Sequence, residues 1–224
     1  MRVKTVIFDL DGTLIDSAQS LLSAFDEAFK SLGHVPVRPL DRTVIGPPLT
    51  QILAALSGTD DIDVLTALTA AFKDRYDDDS YRETVVFDGV EAMLTELKRC
   101  GRRLCIATNK RKKPTHKILK LLDWEKFFDD IYTLDTFEIP AKDKPQLIEW
   151  ILGLGGIDVQ GSVYIGDRDD DGHAAHANNL AFILATWGYG ENHSDLWQRA
   201  NKPWNLPDAI DAITSPVLSG CRKS

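Results

Sequence analysis

The sequence predicts an α/β protein, a doubly wound parallel sheet interrupted by an inserted lobe of helices. Three observations carry that reading. Residues 3–15, Val-Lys-Thr-Val-Ile-Phe-Asp-Leu-Asp-Gly-Thr-Leu-Ile, form a β-branched run closed by acids and a glycine, the pattern of a buried strand. From residue 87 onward, apolar strand-like runs alternate with amphipathic helical segments, which builds a parallel sheet covered on both faces. Between 16 and 84 the patterns are helical alone. The expected division is therefore a core formed by 1–15 and 85–224, with a helical cap at 16–84.

The elements follow in chain order. Leu21, Leu22, Phe25, Ala28, Phe29 and Leu32 recur on one face of a helix over 18–32, stopped by Gly33. Val35-Pro-Val-Arg-Pro39 is extended, because proline removes donors and disfavours helix before it. Gly46-Pro-Pro-Leu49 is a rigid turn, and a second helix runs from Thr50 to its stop at Gly58. Asp60-Asp61 cap a third helix reaching about Tyr76, with Leu65, Leu68, Ala71 and Phe72 inward. The core resumes with a helix over 90–99, a strand over 103–107 ending at Thr108-Asn109, and a helix from about Pro114. A short strand at 131–133, a helix over 144–154, a strand over 162–165 ending at Gly166-Asp167, a helix over 172–178 and a strand over 181–185 follow. Helices near 194–200 and 206–213 are expected to close the core, before a frayed tail.

Composition narrows the partners. The chain has 224 residues, 43% hydrophobic and 27% charged, ordinary values for a globular protein with room for a sizeable core. Its 26 basic against 34 acidic residues give a net charge of −8, which argues against nucleic acid or an anionic membrane as the main partner. Cys100, Cys105 and Cys221 are odd in number and lack metal-ligand spacing, which fits a reducing, cytoplasmic setting. No N-terminal signal pattern is present, and no apolar run approaches the ~18 residues of a membrane span. The expected state is a monomer or a homodimer.

The chemistry lies at the strand ends. In a parallel sheet these share one edge, where ligands of open α/β sheets bind. The first strand delivers Asp9 and Asp11, the second Thr108 and Asn109, a helix start Lys144, and a later strand Asp167 with Asp171 four residues on. So many acids in one place are costly unless something positive sits among them. Phosphoryl transfer through an aspartyl phosphate uses such a set. One carboxylate is the nucleophile, and catalysis is otherwise positioning and charge neutralisation. Mg²⁺ prefers carboxylate oxygens, a lysine neutralises the phosphoryl oxygens, and a second acid moves the proton.

These residues carry a resemblance. Asp9-Leu-Asp-Gly-Thr-Leu-Ile-Asp16, Ala107-Thr-Asn109, Lys144 and Gly166-Asp-Arg-Asp-Asp-Asp171 resemble the four ordered motifs of the haloacid dehalogenase superfamily, in its phosphatase branch. Gly46-Pro-Pro-Leu49 and Phe87-Asp-Gly-Val90 resemble cap and hinge features of its phosphoglycolate phosphatase-like group. The resemblance covers nearly the whole chain and implies a Rossmann-like core with a helical cap. It implies Asp9 as nucleophile and Asp11 as general acid/base, with Thr108 and Asn109 holding phosphate and Lys144 neutralising it. Mg²⁺ would be bound by Asp9, Asp167 and the backbone carbonyl of Asp11, with Asp171 orienting the metal's waters or Lys144. The superfamily's true dehalogenases lack the second acid, so Asp11 argues against dehalogenation.

The implied function is Mg²⁺-dependent hydrolysis of a small phosphorylated metabolite, with phosphoglycolate and nucleoside monophosphates the leading substrates. Two alternatives stay open: phosphoryl transfer like that of β-phosphoglucomutase, and a catalytically silent relative that only binds a partner. Lys142 rivals Lys144, but the apolar pattern Leu147, Ile148, Ile151 starts three residues after Lys144. Lys110 and Arg111 fit an anion-attracting rim and a solvated loop equally well. His173 and His176 read as a helix face rather than a metal pair. Asp169 and Asp170 read as a solvated helix start, although Asp170 stays a candidate for the metal shell. Arg38, Arg42, Thr50, Gln51 and Arg82 are the cap residues with the reach to touch a bound organophosphate.

Overall fold

The computed structural model describes residues 3–191 and 194–213; Cys221 and the tail lie outside them. Strand β1 (Thr5–Phe8) leads through a tight loop into the two-residue strand β2 (Ile15–Asp16). Helices α1 (Ala18–Ser31), α2 (Leu49–Ser57) and α3 (Ile62–Asp78) follow. Strand β3 (Val85–Val86) returns the chain, pairing antiparallel with β2 at the two crossings between helical lobe and sheet. Then come α4 (Val90–Arg99), β4 (Arg103–Thr108), α5 (Lys112–Leu121), β5 (Asp130–Thr133), α6 (Lys144–Leu154), β6 (Ser162–Gly166), α7 (Asp169–Ala177) and β7 (Ala181–Ala185). Strand β8 (Gln198–Ala200) and helix α8 (Leu206–Asp211) complete it.

The main sheet has the order β5-β4-β1-β6-β7-β8 with every pair parallel. β1 is central, paired with β4 through Val6↔Leu104 and with β6 through Val6↔Val163. Its Val6, Ile7 and Phe8 are fully buried, as a strand covered on both faces requires. The strand order reverses between β1 and β6, so the carboxyl ends of β1, β4 and β6 frame the switch-point crevice.

Local chemistry sets the helix starts. The Asp61 carboxylate accepts the backbone N–H groups of Asp63 and Val64 at the start of α3. Asp143 does the same for Gln146 in α6, whose first turn carries Pro145. Both are side-chain N-caps.

One expected element is different. The helix expected near 194–200 is not formed; Gln198–Ala200 instead adds β8 to the sheet edge, with Ile183↔Gln198 and Ala185↔Ala200 in register. The open backbone of β7 supplies a ladder of hydrogen bonds that a short amphipathic pattern cannot outbid. Trp197 anchors the strand: its ring meets Phe182 edge-on and its indole N–H donates to Asp169 at 3.1 Å. Among the described residues no helix is long and apolar enough to cross a membrane.

Candidate active site

The site grows from the end of β1. The Asp9 backbone N–H donates to the Ile165 carbonyl at 2.8 Å, extending the ladder to β6 by one residue and fixing the carboxylate at the sheet edge. Gly12 then turns the chain with φ +85°, a left-handed conformation glycine adopts freely. A Cβ there would stand 2.4 Å from Asp167 Oδ2. On the other side, a Cβ on Gly188 would fall 2.2 Å from Asp167 Cβ and 2.3 Å from the Gly12 carbonyl. Two side-chain-free segments therefore close on Asp167.

Four charged groups meet there, all buried: Asp9, Lys144, Asp167 and Asp171. Lys144 Nζ, at the first residue of α6, stands 2.9 Å from Asp9 Oδ2 and 2.5 Å from Asp171 Oδ1. It lies 5.7 Å above the Tyr164 ring. The other Asp171 oxygen accepts the Arg168 backbone N–H at 3.2 Å. Asp167 accepts the Tyr189 backbone N–H at 2.7 Å and the Thr13 hydroxyl at 3.3 Å. Asp9 Oδ1 is buried and has no protein hydrogen-bond partner. Lys142, the rival lysine, is exposed, and it is Lys144 that pairs with Asp9 and Asp171.

The electrostatics are under tension. Burial pushes the Asp9 carboxyl up to about 6 against the pull of Lys144. Burial, then the charges of Asp171 and Asp9, push Asp167 up to about 7. Burial also opposes the Lys144 ammonium, yet Asp171 and Asp9 outweigh it and hold its pKa well above the ordinary lysine value. Of three carboxylates with oxygens within 4.8 Å of one another, two pair with this ammonium. When all are ionised, two negative charges are left over, which suits a divalent cation.

The donors are all oxygens, the set a hard cation such as Mg²⁺ takes, and Asp9 Oδ1 is an orphaned buried acceptor that such an ion would satisfy. Asp9 and Asp167 are the better holders. Asp171 has its charge met by Lys144 at 2.5 Å, which fits it to holding that lysine, whereas Asp167 accepts from the neutral Tyr189 N–H and Thr13 hydroxyl. The Asp11 side chain is not in this cluster. Its Oδ1 accepts a short hydrogen bond from the Ser17 hydroxyl, and Lys110 Nζ reaches both its oxygens at 2.9 and 3.2 Å.

Other expected site residues sit nearby with partners of their own. Thr108 is buried at the end of β4, and its hydroxyl accepts the Lys110 backbone N–H. The Asn109 amide donates to the Gly46 carbonyl of the helical lobe at 2.8 Å, leaving its buried Oδ1 without a partner. Asp169 takes the Trp197 indole, and the His173 ring packs edge-on to Trp197 with 5.4 Å between centroids. Of the cap candidates, Gln51 lines a groove of about 430 Å³ beside Lys144 and Arg168. Arg42 pairs with Asp16 at 3.0 Å, and Arg82 lies 3.8 Å from Asp79.

Sequence reasoning missed the contacts that tie lobe to core. Tyr76 of α3 accepts a hydrogen bond from Lys110 Nζ at 2.8 Å, so one ammonium joins the lobe to Asp11. Arg111 grips the buried Asp77 carboxylate with two bonds, at 2.9 and 2.5 Å. Lys110 and Arg111 are thus neither a free rim nor a solvated loop. Adjacency to Thr108-Asn109 was the available signal for both; Tyr76 gave none, since its place one turn after Phe72 reads as packing.

An α/β core whose central strand presents a buried aspartate to a lysine and a cation-ready acid cluster defines a class of phosphoryl-handling hydrolase folds. The family model described as haloacid dehalogenase-like hydrolase matches residues 6–185, and the chain belongs to that family. It is 31% identical over 187 residues to the tyrosine-protein kinase PtkA of Mycobacterium tuberculosis, covering 83% of this chain and 62% of that protein. The chain thus spans less than two thirds of that relative's length. It is 33% identical over 201 residues to the phosphoglycolate phosphatase of Xylella fastidiosa, covering 87% of this chain and 86% of that one. A crystal structure described as a predicted phosphatase from Clostridium acetobutylicum superposes with a TM-score of 0.84 at 27% identity, covering 94% of this chain and 99% of that one.

Proposed function

We propose that this protein is a Mg²⁺-dependent phosphatase that hydrolyses a small phosphate monoester through an aspartyl-phosphate intermediate. The observation that carries the reading is Asp9: a buried carboxylate with one oxygen on Lys144 and the other without a partner, two residues before a second acid. Family membership and the similarity to a phosphoglycolate phosphatase support it.

In this reading Asp9 attacks phosphorus, and the ester P–O bond breaks as Asp11 gives its proton to the leaving oxygen. Water then attacks the acyl phosphate. Asp11 takes back a proton from that water, and the P–O bond to Asp9 breaks to release inorganic phosphate. Lys144 faces the phosphoryl oxygens, held by Asp171, and supplies fixed positive charge where negative charge develops. Thr108, whose hydroxyl accepts the Lys110 N–H, gives its own proton to a hydrogen bond with the same oxygens in this reading. Asp9 and Asp167, with the Asp11 carbonyl, would hold Mg²⁺, which supplies Lewis-acid neutralisation of the phosphoryl group when bound. The helical lobe lies closed over this edge through the Asn109–Gly46, Lys110–Tyr76 and Arg111–Asp77 contacts, an arrangement that excludes water from the transfer step.

A panel of phosphate esters, assayed for phosphate release with Mg²⁺ and again with EDTA, tests the proposal. Metal-dependent release is expected. No release from any ester would leave only a silent binding protein, and isomerised sugar phosphate without free phosphate would indicate a mutase.

A further inference from the structure

We infer that the ester cleaved here has a compact, uncharged, mainly hydrocarbon leaving group, and that a carboxylate-bearing one is disfavoured. The inference rests on the hydrolase reading above and adds the substrate class. Asp11 must reach the leaving oxygen, so the rest of the alcohol extends into the pocket that contains Asp11. That pocket also holds Asp9 and Thr108 and lies under the helical lobe.

Its lobe-side wall is apolar. Leu21 and Phe25 from α1, Ile45 before α2, Leu49 and Ile52 of α2, and Phe72 of α3 form it. Phe25 and Phe72 stack with ring centroids 4.4 Å apart, which stiffens that wall. Tyr76 supplies the one hydroxyl from the lobe.

Charge is equally one-sided. Lys30, Arg38, Arg42, Lys73, Arg75 and Arg82 are the lobe's cations, and none of them lines the pocket. The two cations that do line it come from the core, and each already faces an acid. Lys110 is shared by both Asp11 oxygens and Tyr76. Arg111 is held by both oxygens of Asp77. Asp11 turns anionic as it hands over its proton, so a carboxylate on Lys110 would face that growing negative charge in the transition state, and one on Arg111 would face Asp77; a desolvated anion without its own counter-charge is disfavoured. An isopropyl group in the same place meets Ile52, Phe72 and Leu49 and gains from leaving water.

Size sets the second limit. The cavity is about 60 Å³ with the lobe closed, against the roughly 150 Å³ of an apolar cavity that admits benzene. The lobe must therefore give way for any ester, least for a leaving group of a few carbons and most for a nucleoside.

The matched test is isobutyl phosphate against phosphoglycolate, because CH(CH₃)₂ and COO⁻ have nearly the same shape. kcat/KM for phosphate release is measured for both with Mg²⁺, on the wild type and on Ile52→Lys. The wild type is expected to favour isobutyl phosphate at least tenfold, and Ile52→Lys to move the ratio at least tenfold towards phosphoglycolate. Equal or faster turnover of phosphoglycolate by the wild type overturns the inference and leaves the hydrolase reading standing. If Ile52→Lys does not fold, the wild-type ratio alone decides. No metal-dependent release from either ester, with release from AMP, also overturns the inference. No release from any of the three overturns the hydrolase reading beneath it.

Discussion

Replacing Asp9 by Asn is expected to stop turnover and at the same time stabilise the metal-free protein. The buried Asp9 carboxyl rises from 3.8 to about 6, a net figure that already includes the attraction of Lys144. At ~1.4 kcal/mol per unit, ionised Asp9 costs the folded state up to about 3 kcal/mol above pH 6. Below pH 4 the folded carboxyl is protonated and the cost is gone. It sets in as pH rises through the window from 3.8 to about 6, where the folded state holds the proton that the unfolded chain has lost. Asn keeps the volume without the charge, and Lys144 retains Asp171 at 2.5 Å. A buried amide still needs partners, so the expected gain is about 1–3 kcal/mol at pH 8, or about 2–12 °C in Tm for a chain of this size. The assay is thermal unfolding by circular dichroism in EDTA, wild type against Asp9→Asn, at pH 4 and pH 8. The curves should coincide at pH 4 and separate at pH 8. Adding Mg²⁺ should raise the wild-type Tm at pH 8 and narrow the gap, because the ion binds the ionised acids. An Asp9→Asn protein that melts below the wild type at pH 8 in EDTA would refute the electrostatic argument.

Three further outcomes are expected. Lys144→Met should lower kcat about 10²–10³-fold by removing fixed positive charge from the phosphoryl oxygens; a loss under threefold in initial-rate assays would remove Lys144 from the chemistry. Arg111→Ala leaves the Asp77 carboxylate buried with only Lys113 at 3.7 Å. It should cost about 2–3 kcal/mol in urea unfolding and raise KM as the lobe loosens; an unchanged midpoint and KM would count against the latch. Gly188→Ala drives a methyl to 2.2 Å from Asp167 Cβ, which should cost about 1–3 kcal/mol and weaken Mg²⁺-induced stabilisation, read as the Tm shift on adding the ion.

The sheet edge was legible because each strand run ends abruptly in chemistry-bearing residues, and parallel pairing forces such ends together. Helix register placed Lys144 rather than Lys142 at the start of α6: Leu147, Ile148 and Ile151 are fully buried, and that face brings Lys144 to Asp9. Contacts between lobe and core were not legible. The Lys110–Asp11 pair spans 99 residues and the Asn109–Gly46 bond 63, and no local pattern encodes either. Asp77 stands in the run Asp77-Asp78-Asp79, and of the three it is the buried one that pairs with Arg111. β8 was hidden for a related reason. Its three residues owe their conformation to the free edge of β7 and to Trp197 on Phe182, both set by tertiary packing.

The central claim is that Asp9 becomes phosphorylated. Mass spectrometry of protein acid-quenched during turnover, with Mg²⁺ and isobutyl phosphate or phosphoglycolate, tests it most directly. One added phosphoryl group, mapped to the peptide containing Asp9 and absent from Asp9→Asn, is the predicted result. Phosphate release at full rate with that peptide unmodified, or with the group carried on another residue, would contradict it.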